Sequence, residues 1–401
     1  MIELPPPSAR ALHVAALPFP TYQGTQAAIS SMLEASSHAS QRATLFTYAT
    51  EGYSIEPSYT LHRTGNLPRV RSLRSGPSIG KLLLDARMLF ELHALARKLK
   101  PSVVVAHHVE AASLALTLRN VRVVFFAHTD LAAELPVYGH PLLGAALGRA
   151  GAALDRALVR RAAAVATISE SLRARLSHLR GDVHFVPIPW PVPEPIRPGE
   201  RAESRLALGL ELDAKLALYA GNLDAYQGVE QIPEALSMLR ERGLPLRLLL
   251  ATRSDARAFT RRCRELDVPV HACALGDEMI RRQLHAAADL AIVPRLSPGG
   301  LPIKLLDALA RGVPAAVMPA ACAGLPLTGV VERARDASSS ALASAVERIV
   351  LCRERREELS AAGRAYIARE HNQARFLETL DVVLQQALQP SAAGANRVPG
   401  A

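Results

Sequence analysis

Apolar runs alternate along this chain with stretches in which apolar residues return every three or four positions, the pattern of buried strands separated by amphipathic helices. In the first half, Ala11–Leu17, Arg42–Tyr48, Ser102–Ala106, Arg122–Ala127 and Ala163–Ile168 read as strands, with His184–Ile188 a further short one. The second half restarts at Lys215–Ala220 and continues with Pro245–Ala251, Val268–Ala274, Asp289–Val293 and Val313–Met318, after which Glu332–Gln389 reads as largely helical. Strands that alternate with helices fold as parallel sheets covered on both faces, so the pattern predicts an α/β protein of two doubly wound, Rossmann-like halves. Pro187, Pro189, Pro191, Pro193 and Pro195 interrupt regular structure between the halves and make a stiff connector. The predicted organisation is an N-terminal domain over 1–189, a C-terminal domain over 190–370, a helix over 371–389 able to pack back on the N-terminal domain, and a disordered tail over 390–401. Two such domains face each other across a central cleft at the carboxyl ends of their strands, the default ligand position.

Composition fits a globular enzyme and excludes several other classes. A chain of 401 residues exceeds what one core supports, and 49% hydrophobic with 21% charged residues is ordinary for a folded protein. No uninterrupted apolar stretch of about 18 residues is present, and the opening MIELPPPSAR lacks a charged-then-apolar export pattern, which predicts a cytoplasmic protein. Cys263, Cys273, Cys322 and Cys352 have no metal-binding spacing and read as reduced structural residues. The net charge of +10 predicts an anionic partner, a nucleotide or a membrane surface. Only five of the basic residues are lysines, so the charge is carried almost entirely by arginine.

The most informative stretch is Ala291–Val317. A glycine-containing loop, Ser297–Gly300, joins a strand to a short helix that starts at Pro302 and stops at Gly312-Val313-Pro314. Lys304 lies in the first turn, where the dipole and unpaired N–H groups already make a positive end, so its charge suits a bound anion. Asp307 follows three positions later on the same helical face, and a surface ion pair between the two is the alternative reading. In the N-terminal half, Gly24 allows close backbone approach after the first strand, and Thr25 can cap the following helix. His128 ends the run Val121–Ala127, which sets its ring at the mouth of the cleft. His107 and His108 are adjacent, so on a strand their side chains diverge, and no third ligand has the spacing of a metal site. In Tyr219–Gly228, Asn222 and Gln227 are either turn residues or neutral hydrogen-bond donors to a ligand.

The run Gly300-Leu301-Pro302-Ile303-Lys304-Leu305-Leu306-Asp307-Ala308-Leu309-Ala310-Arg311-Gly312-Val313-Pro314 resembles the C-terminal signature of retaining glycosyltransferases of the GT-B type, in particular family 4, glycosyltransferase group 1. The resemblance extends from the Gly24 loop through Ile168-Ser169-Glu170 to the helix after Asp307. It implies two Rossmann-like domains, a nucleotide-diphosphate sugar as donor substrate, no other cofactor and no metal. It further implies that Asp307 binds the ribose, that Gly299, Gly300, Leu301 and the helix start face the diphosphate, that His128 lies near the transferred sugar, and that Gly24, Thr25 and His108 line the acceptor side. Lys304 and His128 are the catalytic candidates. Two departures stand out. Gly299 occupies the position of the family's first acid, and Asn222 and Gln227 replace a basic pair that neutralises the diphosphate, so charge must come from Lys304, Arg295 or Arg253.

The expected function is transfer of a hexose to a glycan or lipid-linked acceptor with retention of configuration, without nucleic acid as a partner. A catalytically silent relative, a sugar-nucleotide epimerase on the same fold and a two-lobed solute-binding protein are the alternatives. The segment 69–100 mixes leucines with Arg69, Arg71, Arg74, Lys81, Arg87, Arg97, Lys98 and Lys100. It reads either as a helix docked on the inner face of an anionic membrane or as an ordinary core helix with Leu82, Leu83, Met88, Leu89 and Leu92 inward.

Overall fold

The computed structural model describes residues 11–19, 23–38, 43–49, 57–65, 79–138 and 143–389. The first sheet comprises β1 (Ala11–Pro18), β2 (Thr44–Tyr48), β3 (Thr60–Arg63), β4 (Val103–His107), β5 (Arg122–Ala127), β6 (Ala164–Thr167) and β7 (Val183–Phe185). Their order is β3-β2-β1-β4-β5-β6-β7, with every neighbouring pair parallel. Val103, Val104, Val105 and Ala106 expose no surface, as a strand covered on both faces requires. The crossovers are α1 (Gly24–His38), α2 (Ile79–Leu99), α3 (His108–Ala115), α4 (Leu131–Tyr138), α5 (Gly144–Arg161) and α6 (Glu170–Ser177).

The second sheet comprises β8 (Leu216–Ala220), β9 (Arg247–Ala251), β10 (Val270–Cys273), β11 (Leu290–Val293), β12 (Ala315–Val317) and β13 (Glu332–Arg333), again all parallel, in the order β10-β9-β8-β11-β12-β13. Its helices are α7 (Glu200–Ala207), α8 (Gln231–Glu241), α9 (Arg257–Glu265), α10 (Glu278–Ala287), α11 (Ile303–Ala310), α12 (Ser339–Leu351) and α13 (Arg353–Glu370). Contacts divide the chain between Pro189 and Trp190, and again between Asn372 and Gln373. The last helix, α14 (Gln373–Leu388), therefore belongs to the first unit, where Phe376, Leu380, Val383, Leu384 and Ala387 are buried and the helix packs on β4, β5, β6 and β7. Residues up to Ala27 in the first turn of α1 group with the second unit.

Two elements depart from the hydrophobic pattern. β3 pairs only with β2 and is partly solvent-facing, so it carries no apolar run. β13 interrupts the region read as helical from Glu332; α12 starts only at Ser339, where the Ser338 hydroxyl caps it by accepting from the Ala341 amide at 3.2 Å. In α2, Leu84, Met88, Leu92 and Ala96 form the buried face at helical spacing. Leu82 and Leu83, expected inside on the core-helix reading, are instead 68% and 58% exposed, and Phe90 is 76% exposed. The tail over 390–401 and Arg69, Arg71 and Arg74 lie outside the described residues. No described helix is long and apolar enough to cross a membrane.

Candidate functional site

The strand order of the second sheet reverses between β8 and β11, and a doubly wound sheet binds its ligands where the loops after two such strands part. Those loops here are Gly221–Gly228 and Pro294–Pro302. Lys304, in the first turn of α11, links them: its Nζ donates to the Tyr219 hydroxyl at 2.7 Å and to Gln227 Oε1 at 3.0 Å, and lies 4.1 Å from the centre of the Tyr219 ring. Gly221 has φ 152°, and a Cβ there would stand 2.7 Å from the ammonium, so glycine leaves the space the lysine occupies. Gly228 has φ 63°, and a Cβ there would come within 2.3 Å of the Pro294 carbonyl, which lets the two loops touch.

The amides of the first loop are turned inward. Gln227 Nε2 donates to Asn222 Oδ1 at 2.9 Å, and Asn222 Nδ2 donates to Asp224 Oδ2 at 2.5 Å and to Tyr226 at 3.3 Å. Asn222 and Gln227 are therefore not idle turn residues, but their donors are committed to each other and to Asp224 and Tyr226 rather than offered to a ligand. Lys304 makes no ion pair with any described carboxylate. Burial, then the charge of Arg295, pushes its pKa well below the usual lysine range, with Asp224 opposing. Burial in turn raises the Asp224 carboxyl, with Lys304 opposing. Arg295 is buried, donates from Nε to the Ser297 carbonyl at 2.7 Å and sits 5.6 Å from the Tyr226 ring centre. The Gly299 amide donates to Ser297 Oγ at 3.3 Å, Gly300 turns the chain with φ 67°, and Leu301 is buried. Arg253 is exposed, with Nε donating to the Leu275 carbonyl at 3.0 Å.

Asp307 and Lys304 do not form an ion pair with each other. Asp307 Oδ1 accepts from Arg311 Nε at 2.9 Å, and its Oδ2 lies 3.8 Å from His285 Nε2 and 3.9 Å from an Arg281 nitrogen. Arg311 continues to Glu278 at 2.6 Å. Three residues advance an α-helix by 300°, not a full turn. That offset is enough here to point the lysine at β8 and the acid at α10. Burial works to raise the Asp307 pKa, but the His285 ring and the charges of Arg311 and Arg281 hold it below the usual carboxylate range.

In the first unit the reversal falls between β1 and β4, and there four histidines meet. His107 ends β4 and His108 opens α3 with φ 68°. This left-handed residue overturns the expectation that their rings diverge: both meet His128, at centroid distances of 5.2 and 4.6 Å. His107 Nδ1 is 3.0 Å from His128 Nε2, and His107 Nε2 is 3.0 Å from His13 Nδ1. Burial lowers the pKa of all four rings, with mutual repulsion adding to it for His107 and His128. Gly24 and Thr25 both lie within the first turn of α1, so Thr25 is a helical residue rather than the cap. Among the described residues no group of three or more His, Cys, Asp or Glu is arranged to hold a metal ion.

Sequence reasoning passed over Tyr219, Asp224, Tyr226 and His13. The signal for His13 was present, a histidine inside an otherwise apolar strand. Tyr219 carried no such mark, since a tyrosine within a strand is common.

Residues 23–189 match the family model of the glycosyl transferase 4-like domain, and residues 200–366 match that of the glycosyl transferases group 1. No curated protein matches the sequence. Among solved structures, sucrose-phosphate synthase from Thermosynechococcus elongatus superposes with a TM-score of 0.78 at 18% identity, covering 94% of this chain and 98% of that one. WaaG, a glycosyltransferase involved in lipopolysaccharide biosynthesis, gives 0.70 at 18% identity over 93% and 99%. HepE from Anabaena, solved in complex with UDP-glucose, gives 0.72 at 12% identity over 94% and 100%. These likenesses establish the GT-B fold, and with both family models they show that the chain belongs to the group 1, family 4-like glycosyltransferases.

Proposed function

We propose that this glycosyltransferase moves a hexose from a nucleotide-diphosphate sugar to an acceptor hydroxyl with retention of configuration. The observation that carries the reading is the Lys304 ammonium at the switch point of the second sheet, held by a phenol, an aromatic face and an amide oxygen, with no carboxylate ion-paired to it among the described residues. A cation so placed is complementary to a diphosphate and to the charge that builds on it as the glycosidic bond breaks. Lys304 stands in for the basic pair that Asn222 and Gln227 lack, and Arg295 adds a second charge nearby. The α11 start and the backbone of Gly300 and Leu301 contribute N–H groups. Asp307 binds the ribose, and His128 contacts the sugar. The diphosphate leaves from the face on which the acceptor attacks, without a metal or other cofactor and without a covalent protein nucleophile. The complex of HepE with UDP-glucose supports a nucleotide sugar as the donor class.

The acceptor side comprises Gly24 and Thr25, in the first turn of α1, and His108 of the first unit. The exposed leucines and Phe90 of α2, beside Arg97, Lys98 and Lys100, suit an anionic membrane surface. This supports a lipid-linked or cell-envelope glycan acceptor at the inner face of the membrane. A thermal-shift screen of nucleoside diphosphates and their sugars, followed by NMR assignment of the product anomer, tests the proposal. Stabilisation by one nucleotide sugar and an unchanged anomeric configuration are expected. Inversion would remove the mechanism, and the lack of any nucleotide response would favour a silent relative, for which the inward-turned amides of Asn222 and Gln227 speak.

A further inference from the structure

His13, His107 and His128 form a hydrogen-bonded row across the switch point of the first sheet. Register sets it up: His13 lies opposite Val105, while His107 lies opposite Ala15 on one side and Phe126 on the other. With alternate residues on one face, His13, His107, Phe126 and His128 share a face, and the row runs diagonally across it. The His13 and His107 rings are 5.3 Å apart with planes 21° from parallel, the spacing of rings bonded edge to edge. His108 stacks on His128 at 4.6 Å and 18°, fixing the plane of that ring.

A neutral imidazole has one donor and one acceptor. Two hydrogen bonds in series therefore leave the row two uniform states. Either each ring carries its proton on Nδ1 and His128 presents an N–H at its far end, or each carries it on Nε2 and His128 presents a lone pair there. His128 Nδ1 is buried and has no hydrogen-bond partner, and the same holds for His108 Nε2 beside it. A buried N–H without an acceptor is the costlier arrangement at His128, whereas the N–H that the second state places on His13 Nε2 does not fall on a buried atom without a partner, so the second state is favoured. Among the described residues no carboxylate is among the groups acting on His13, His107 or His128; Glu110, Glu134 and Lys81 act on His108. The row thus resembles a triad in geometry but lacks the acid that would stabilise a positive ring.

We propose that His13 and His107 are positioning residues that lock His128 in its Nε2–H tautomer, leaving its Nδ1 lone pair to accept a hydrogen bond from a sugar hydroxyl. The role of that lone pair rests on the reading of His128 as a sugar contact; the lock itself does not.

Nitrogen-15 correlation spectra of the ring nitrogens, assigned by single substitutions, read the lock in the unliganded protein. The expected wild-type pattern is a protonated Nε2 and a bare Nδ1 on all three rings. Protons on Nδ1, imidazolium rings or mixed tautomers would overturn the proposal. His13→Asn keeps an acceptor where Nδ1 was, so the His128 tautomer and the turnover should persist. His13→Leu leaves the His107 N–H without an acceptor; the His128 tautomer should become mixed, and kcat should fall about 10- to 100-fold, the usual effect of losing a partner that orients a histidine, with donor KM little changed. An unaltered His128 tautomer in His13→Leu, or equal losses in both variants, would also overturn it. A wild-type protein that neither binds nor turns over nucleotide sugars would refute the proposed function while the spectra still decide the lock.

Discussion

Tyr219 holds Lys304 twice, by its hydroxyl at 2.7 Å and by its ring at 4.1 Å from the centroid. The phenol itself donates to the Asn222 carbonyl at 2.5 Å, so its oxygen is free to accept from the ammonium. The lysine is thereby fixed in direction but not neutralised, and its buried charge is a cost to the unliganded fold.

Lys304→Met should accordingly keep or raise the melting temperature of the unliganded protein while lowering turnover about 100- to 1,000-fold, as expected for loss of a preorganised charge. The lowered lysine pKa means that the unfolded chain binds the extra proton between the folded value and the ordinary lysine range, so this group makes stability increase with pH across that window. The advantage of Lys304→Met should shrink as the solution becomes alkaline. Differential scanning calorimetry of both proteins across pH measures it, and a methionine variant that melts well below the wild type at neutral pH would contradict the account.

Binding of a diphosphate should draw a proton onto Lys304 at mildly alkaline pH, because an anion at the ammonium raises the pKa that burial lowered. Calorimetric titration in two buffers of different ionisation enthalpy reads that uptake directly. Equal heats in the two buffers would mean that the lysine is already charged before the ligand arrives.

Asp307 has a structural task beside its proposed contact with the ribose. Its carboxylate faces Arg311, which is 7% exposed, so Asp307→Ala leaves that guanidinium with Glu278 as its remaining carboxylate partner and should destabilise the fold by about 1 to 3 kcal/mol. A carboxyl with a depressed pKa stabilises above the unfolded carboxylate range and loses that effect as pH falls through the folded value. The gap between wild type and Asp307→Ala should therefore close in acid, as followed by urea unfolding. A gap that persists there would point to packing rather than charge.

Gly221→Ala should leave both sheets intact and displace the lysine. The new methyl meets the flexible end of Lys304 at 2.7 Å rather than backbone, so the side chain can move away, and only the strain of φ 152° remains. Nucleotide affinity should fall with a small loss of melting temperature. Unchanged affinity would place the diphosphate elsewhere.

The α/β class was legible because buried parallel strands write themselves as apolar runs, as Val103–Val105 and Leu248–Leu250 do. β3 and β13 were not, since an edge strand that faces water and a two-residue strand have no apolar signature. The place of Lys304 in the first turn of α11 could be read from the sequence. What holds it could not, because Tyr219, Asn222 and Gln227 converge only through the turn that Gly221 and Gly228 make. The histidine row was hidden for a similar reason: spacing in sequence says nothing of strand order, and only the adjacency of β1 and β4 brings His13 to His107. His108 misled outright, because a positive φ at a non-glycine residue leaves no trace in the pattern.

The placement of α14 has a consequence for how this protein comes into being. Its buried face closes over β4, β5, β6 and β7, and Gln373 Nε2 donates to the Ala35 carbonyl at 2.8 Å, yet the helix follows in sequence every strand of the second sheet. The first sheet emerges from the ribosome early but must wait, partly uncovered, until the whole second unit has been made. At about 5–20 residues per second the delay lasts many seconds. During that interval the exposed flank of the first sheet is open to holdase chaperones and to aggregation, whereas the second unit can close on itself as soon as its own residues are out.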